Sequence, residues 1–434
     1  SLLINFIDLY FMRKNILNYV NTKFFYGWII VGIANIGIFS SGPGQSHTFS
    51  VFVEPISQDL QLSSASIASA YGLATLIAAF LLPYMGKLID RYGARFSLII
   101  ISIILGISCI FFGAASNFLM LTVGFGFLRF FGQGSLMLGC ANLVSQWFDS
   151  KRGFAMSLMA LGFGMSMAVH PPLSQLLIDE YGWKYAWIIL GVSTWIIMVP
   201  ALFILAWNNP ENIGLKPDGE KKTKLTKDEV QVIEGLNLKE ALKENSFYIL
   251  AAMWFGMAML VTTLHFYQVT ILTNQGISTE YAASLFTISA VAMVVFMPLV
   301  GKFFDNFPTK YVLATGLLIN SISLISITYS NNDAYSLFYA ISFGINNAFS
   351  MTMFGYIWPR YFGRKHLGSI QGTGQMIGVI GASLGPLPVG FAIDYLGTSL
   401  VTIRCLSVYP IIMAIIIIMF LKSPSSLSIN SKLE

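Results

Sequence analysis

Long apolar stretches alternate with short polar links along almost the whole chain. A helix needs about 20 apolar residues to cross the hydrocarbon core of a bilayer, and it satisfies every backbone polar group within its own segment. Twelve such segments are predicted, at roughly Phe25–Val51, Ser66–Leu88, Phe96–Ala115, Phe118–Val144, Gly153–Leu177, Tyr185–Trp207, Phe247–Leu272, Tyr281–Phe303, Tyr311–Ser330, Ala334–Trp358, Gly368–Ile393 and Thr398–Leu421. The links carry turn formers, as at Asn117, Asn209-Pro210 and Asn331-Asn332-Asp333. One hydrophilic stretch is long, Asn208 to Ser246, and it divides six segments from six. The pattern predicts an all-α membrane protein with bundles at 24–207 and 247–421, a central link at 208–246, an N-terminal segment at 1–23 and a tail at 422–434.

The halves repeat. Gly86-Lys87-Leu88-Ile89-Asp90-Arg91-Tyr92-Gly93-Ala94-Arg95 and Gly301-Lys302-Phe303-Phe304-Asp305-Asn306-Phe307-Pro308-Thr309-Lys310 share the order Gly, basic, apolar, apolar, Asp, closing basic, and lie 215 residues apart (301 minus 86). Pro171 and Asp179 match Pro386 and Asp394 at the same offset, and Trp147-Phe148 falls opposite Phe362-Gly363. A constant offset without insertions indicates duplication, so the two six-helix bundles should be pseudo-symmetric.

Composition narrows the class. The chain of 434 residues is 55% hydrophobic and 10% charged, where a soluble domain carries about 25% charged residues. The net charge of +5 is therefore no nucleic-acid signal, and its placement matters more than its size. Lys87, Arg91, Arg95, Lys151, Arg152, the lysines of the central link, Lys302, Lys310, Arg360, Arg364 and Lys365 all fall in links on one side. The other side has only Lys184 and Arg404, with several acidic residues. By the positive-inside rule both termini and the central link should be cytoplasmic, in a cell membrane. The run Ser1 to Met12 lacks the marks of a signal peptide, and Phe24-Phe25-Tyr26-Gly27-Trp28 reads as an interfacial entry to the first span. Asn237 to Lys243 has helical composition and reads either as a short interfacial helix or as plain tether. Cys109, Cys140 and Cys405 form neither a zinc spacing nor a disulfide framework.

The six-plus-six plan with Gly-x-x-x-Asp-Arg-x-Gly-x-Arg resembles the major facilitator superfamily over nearly the whole chain. Tyr26-Gly27-Trp28, Arg129-Phe130-Phe131-Gly132-Gln133-Gly134 and Trp147-Phe148-Asp149-Ser150-Lys151-Arg152-Gly153-Phe154-Ala155 resemble the monocarboxylate transporter branch and its bacterial relatives. The resemblance implies a major facilitator fold and alternating-access transport of a small organic anion with a proton. It also turns the fourth helix toward a central cavity.

Arg129 lies about ten residues into that helix, near mid-bilayer, where a charge costs roughly 2.5–3.5 kcal/mol even on a lenient scale. Two readings stand: its guanidinium binds a substrate carboxylate bidentately, or it bonds helix-end carbonyls and partners such as Gln133. The resemblance places His47 where the family carries a proton-binding lysine. His265, beside Tyr267 and Gln268, reads as a cavity residue and the second candidate for proton coupling. His170, before Pro171-Pro172, reads as a cap on freed carbonyls. Amides and hydroxyls in membrane helices face neighbours or water. The candidates are Ser40, Ser41, Gln45, Tyr71, Asn142, Asn346, Asn347, Tyr356, Gln371 and Gln375, with Asn346-Asn347 favoured for ligand contact. The substrate set is thus Arg129, Gln133, Tyr71, His265, Asn346, Asn347, Tyr356 and Gln375. Asp90, Arg91, Arg95 and Asp305 are the gating candidates.

One departure matters. The family usually has an Asp and an Arg one turn apart late in the eighth helix, and alignment through Pro298 and Gly301 puts Met293 and Met297 there. Rival functions are export or facilitation of a neutral or amphipathic molecule, and a non-transporting sensor. No nucleotide loop, metal cluster or nucleophile–base pair is visible, so neither an enzyme nor a cofactor is expected. The expected partners are the small organic anion, the proton and the bilayer, with the chain a monomer.

Overall fold

In a computed structural model the described residues are 2–49, 52–62, 64–219, 235–385, 388–389, 392 and 396–422. Helices account for nearly all of them. They are α1 (Leu2–Lys23), α2 (Gly27–Ser40), α3 (Ser46–Phe49), α4 (Val53–Leu60), α5 (Ser64–Tyr92), α6 (Ala94–Gly113), α7 (118–147), α8 (152–181), α9 (183–205), α10 (Leu238–Ala241), α11 (Asn245–Thr273), α12 (Thr279–Asn306), α13 (Thr309–Ile327), α14 (Asp333–Phe362), α15 (Leu367–Leu384) and α16 (Leu400–Phe420). They form two compact units, Ser1–Ile233 and Glu234–Glu434.

The duplication is written in the backbone. Asn117 caps α7 by accepting from the Met120 amide, and Asn332 caps α14 by accepting from the Tyr335 amide, 215 residues later (332 minus 117). Left-handed φ values recur at the same offset: Gln61 (52°) with Gly276 (90°), and Gly182 (79°) with Gly397 (68°). At Gly182 that φ breaks an otherwise continuous helical run of 54 residues into α8 and α9. Such a run would be about 80 Å long at 1.5 Å per residue, far more than one bilayer crossing.

Eight described helices are long and apolar enough to cross a membrane, or nine if Phe11–Lys23 and Gly27–Ser40 count as one bent pair. The remaining expected spans fall short for visible reasons. α7 carries a π-helical stretch, Leu128–Leu136, with Arg129, Gln133 and Ser135. α14 carries Asn346, Asn347 and Arg360 and buries most of its polar side chains. α15 carries Gln371 and Gln375 among its glycines, and Pro386 and Asp394 of the expected eleventh span lie outside the described residues.

The first expected segment is corrected. Phe25–Val51 is not one helix, because α2 ends at Ser40 and a 3₁₀ turn at Gly42–Gly44 intervenes before α3. Pro43 has no amide hydrogen to donate, and its glycine neighbours weaken the helix on either side. Residues 1–23 hold a helix, α1, meeting α2 at 112°. The candidate interfacial helix of the link is a single turn, Leu238–Ala241, closed by a capping box between Asn237 and Glu240.

Glycines set the tight crossings. A Cβ at Gly162 would overlap the Asn35 carbonyl, seating α2 on α8, and one at Gly381 would overlap the Phe255 carbonyl, seating α11 on α15. The glycine spacing in these helices is thus close packing.

Candidate functional site

The break after α2 frees backbone carbonyls inside unit 1, and nearby side chains take them. The Ser41 hydroxyl donates to the Ile38 carbonyl at 2.6 Å, and Thr48 Oγ1 donates to the Gly42 carbonyl at 2.6 Å. Arg129 Nη1 donates to the Gly44 carbonyl at 2.7 Å, and Arg129 Nε donates to Thr75 Oγ1 at 3.1 Å. The backbone of Gly44 lies against the π stretch of α7, where a Cβ would press on the Leu128 carbonyl, the Gln133 amide and Gly132. A π stretch widens the helix locally and often marks a working site. Here it receives the broken end of α2.

The guanidinium carbon of Arg129 lies 4.9 Å from the Tyr71 ring centroid. Tyr71 in turn meets Phe49 and Phe125 edge-on, at 5.5 and 5.6 Å. Arg129 is only 5% exposed and forms no ion pair among the described residues. Among the described residues its cation is offset by a carbonyl dipole, a hydroxyl and a π face. Gln133 is half-buried, on the same π stretch.

His170 stands on the other side of the break. Its ring packs on Gly42 and on Phe39, with centroids 4.8 Å apart in the latter pair, and Nδ1 pairs with Ser166 Oγ at 3.0 Å. His47 falls in the turn of α3, and its side chain lies outside the described residues.

The other members of the expected substrate set belong to unit 2. His265 stays exposed between the rings of Phe286 and Phe343, with Nδ1 at 3.0 Å from the Val261 carbonyl. Asn346 is fully buried, and neither polar atom of its side-chain amide has a hydrogen-bond partner among the described residues. Asn347 is 5% exposed and donates to the Phe343 carbonyl at 2.9 Å. Tyr356 joins α14 to α12, its hydroxyl donating to the Phe304 carbonyl at 2.8 Å. Gln375 is buried on α15. Met293 and Met297 are buried as well.

Among the gating candidates, Arg95 is turned onto the end of α9. Its Nη2 donates to the Phe203 carbonyl at 2.9 Å, its Nε to the Leu202 carbonyl at 3.3 Å, and its amide to Asn208 Oδ1 at 2.8 Å. Arg91 lies over the Tyr92 ring at 5.3 Å, and Asp90 and Asp305 are half-buried. In the second copy Asn306 bonds back to the Lys302 carbonyl at 2.7 Å.

Sequence reasoning missed Thr75, Gly44 and Ser166. Gly42-Pro43-Gly44 was the available signal, since a broken helix must hand its carbonyls to some donor.

Duplicated helical units, apolar spans and a buried cation beside a broken helix define a multi-pass, all-α membrane protein of the carrier type. The chain belongs to the Major Facilitator Superfamily, whose family model matches residues 34–273 and 265–434. It is 26% identical to human Monocarboxylate transporter 11 over 169 residues, 39% of this chain and 36% of that protein. It is 23% identical to the oxalate:formate antiporter of Oxalobacter formigenes over 216 residues, 49% of this chain and 48% of that one. These matches span about a third to a half of the curated relatives. Among solved structures it resembles the proton:xylose symporter XylE, with a TM-score of 0.70 at 15% identity, covering 92% of this chain and 96% of that one.

Proposed function

We propose that the protein is a secondary transporter of a small, monocarboxylate-like organic anion, moved by alternating access together with a proton. The observation that carries this reading is Arg129, a buried guanidinium with no ion-pair partner among the described residues. An anion reaching it would supply the missing charge, and the planar fork suits a carboxylate. The relatives named for monocarboxylates and for oxalate and formate support the substrate class. His47 and His265 are the proposed proton carriers, because a bound carboxylate raises the proton affinity of a nearby histidine. Asp90, Arg91, Arg95 and Asp305 are the proposed gate, with the basic links and both termini inside the cell.

The test uses the purified chain with a panel of carboxylates and neutral solutes, scored by thermal stabilisation and by uptake into liposomes. Carboxylates should stabilise, by about 2.7 kcal/mol at a hundredfold excess over Kd. Arg129→Gln should remove that shift while the protein still folds, and Arg129→Lys should restore it only in part. Uptake should rise as outside pH falls, and His47→Gln should abolish the dependence. Normal binding in Arg129→Gln would assign the residue to the α2 break alone and favour a neutral substrate. Asp90→Asn should keep binding and lower transport.

A further inference from the structure

α1 is an element that the transport reading leaves unused. It meets α2 at 112°. For an ordinary tilt of about 20° in the crossing helix, a helix at that angle lies between about 2° and about 42° from the membrane plane, too shallow to cross the bilayer in its own length. One face docks on unit 1. Arg13, 6% exposed, donates to the Ile204 carbonyl at 3.0 Å and the Ala206 carbonyl at 2.6 Å, and its guanidinium lies 4.2 Å from the centre of the Trp207 ring. Leu17, one turn later, is 3% exposed.

From Phe11 onward, the other face of α1 is unusual for a helix in water. Phe11 is 57% exposed, Met12 43%, Tyr19 63% and, just past its end, Phe24 47%. At 100° per residue Phe11, Met12 and Tyr19 fall on the side opposite Arg13 and Leu17. Lys14 and Lys23 are exposed, and Lys23 Nζ bonds the Tyr19 hydroxyl at 2.7 Å. Between Asp8 and Glu54 the chain has no acidic residue. Exposed aromatics interleaved with lysines and asparagines, on a helix in the plane, have the chemistry of a headgroup layer. Tyrosine seats a ring at that depth, and lysine meets phosphate.

We infer that α1 is an in-plane anchor whose exposed face lies in the headgroup layer of an anionic leaflet. Phe11, Met12 and Tyr19 enter the interface, and Lys14 and Lys23 pair with lipid phosphates. Arg13 caps the end of α9, so the anchor and the exit of that span move as one piece.

The test places a nitroxide at Met12→Cys, Tyr19→Cys or, as a water-facing reference, Lys239→Cys. The full chain carries Cys405→Ser and sits in liposomes containing phosphatidylglycerol. At 12 and 19, collision with dissolved oxygen should exceed collision with a water-soluble nickel chelate, with the opposite order at 239. Nickel-dominated collision at 12 and 19 would overturn the anchor, because the face would then stand in water. Protection from both reagents would also overturn it and assign the face to a second copy of the chain. With Lys14→Gln and Lys23→Gln together, nickel collision at 19 should at least double. It should also no longer change when phosphatidylglycerol is replaced by phosphatidylcholine. No change in the double variant would overturn the anionic-lipid part.

Discussion

Arg129 on α7 donates to the carbonyl of Gly44 at 2.7 Å, so one buried guanidinium holds the broken end of α2 against the π stretch of α7. The same cation is proposed to receive the anionic substrate, and the two roles share one group of five N–H donors. Two of its nitrogens are engaged by Gly44 and Thr75. A substrate carboxylate would find the guanidinium already oriented, with its rotamers restricted.

The contact tolerates no side chain at Gly44. A Cβ there would overlap the Leu128 carbonyl and stand 2.7 Å from the Gln133 amide, both rigid backbone. Gly44→Ala should lower stability by about 1–3 kcal/mol through overpacking, read as a fall in thermal midpoint. Gly32→Ala, with nothing within 4 Å of its Cβ, should be neutral or gain up to about 1 kcal/mol from helix propensity. Equal effects of the two would refute the packing argument.

Gln61 and Gly276 occupy equivalent left-handed positions, at φ 52° and 90°. A left-handed residue other than glycine costs roughly 1–2 kcal/mol, and the added chain entropy of glycine returns about 0.4–1 of that. Gln61→Gly should therefore stabilise by about 0.5 kcal/mol or slightly more, and Gly276→Gln should destabilise. The check is thermal unfolding of both variants in one detergent.

Asp218 clamps the loop before α8. Its Oδ2 accepts from the Ser150 amide at 2.7 Å and the Asp149 amide at 3.1 Å, and its Oδ1 accepts from the Lys151 amide at 3.1 Å. Its φ of 62° is left-handed, a strain of the kind kept where the surroundings impose it. Asp218→Ala should cost about 1–3 kcal/mol, since bonds to a charged group are the stronger kind and this one is half-exposed. Asp218→Asn, which tolerates the same φ and still accepts, should recover at least half. Limited proteolysis of the link offers a second readout, with faster cleavage expected in the alanine variant.

On the opposite end of the spans, Lys184 Nζ lies 2.8 Å from Asp59 Oδ2, and Trp183 Nε1 donates to the same oxygen at 3.2 Å. The hydrogen bond from Lys184 is the main cause that holds the Asp59 carboxyl below its ordinary value. A depressed carboxylate stabilises the fold above its unfolded pKa of about 3.9, and that contribution is lost as pH falls through the lower folded value. Both side chains are nearly half exposed, at 43% and 45%, so the pair is worth less than about 1 kcal/mol. Asp59→Asn should lower the thermal midpoint slightly at pH 7. The difference should shrink in high salt and vanish once pH has fallen through the lowered folded value.

The spans and the duplication were legible because both live in local pattern. Asn117 and Asn331-Asn332-Asp333 read as hairpin ends, and Asn117 and Asn332 are helix caps. The break at Gly42 was hidden because averaged hydropathy passes smoothly over Gly42-Pro43-Gly44. The partners of Arg129 were hidden for another reason. Gly44 and Thr75 lie 85 and 54 residues away in the chain, and only folding brings them together. Asn346-Asn347 stood out because two adjacent amides cannot both face one neighbour, but which of the two a neighbouring helix covers is set by packing that local sequence does not encode; Asn347 bonds the Phe343 carbonyl and Asn346 is fully buried. α1 escaped notice because its apolar residues are interleaved with asparagines, so no window reaches the hydropathy of a span.

The central link is fastened at both ends. Asp218 grips 149–151. On the other side Leu236 donates to the Phe362 carbonyl at 2.9 Å, and Gly235 bridges to Gly363. In the duplicated sequence Phe362 and Gly363 are the counterparts of Trp147 and Phe148, which directly precede 149–151, so both landing points lie at the corner where a fourth helix hands over to a fifth. The seam joining two copies of an ancestral gene is thus stitched to the same corner of each copy. A chain severed between Gly219 and Gly235 would leave every stitch with its own half, so two separately expressed fragments would each carry a finished edge.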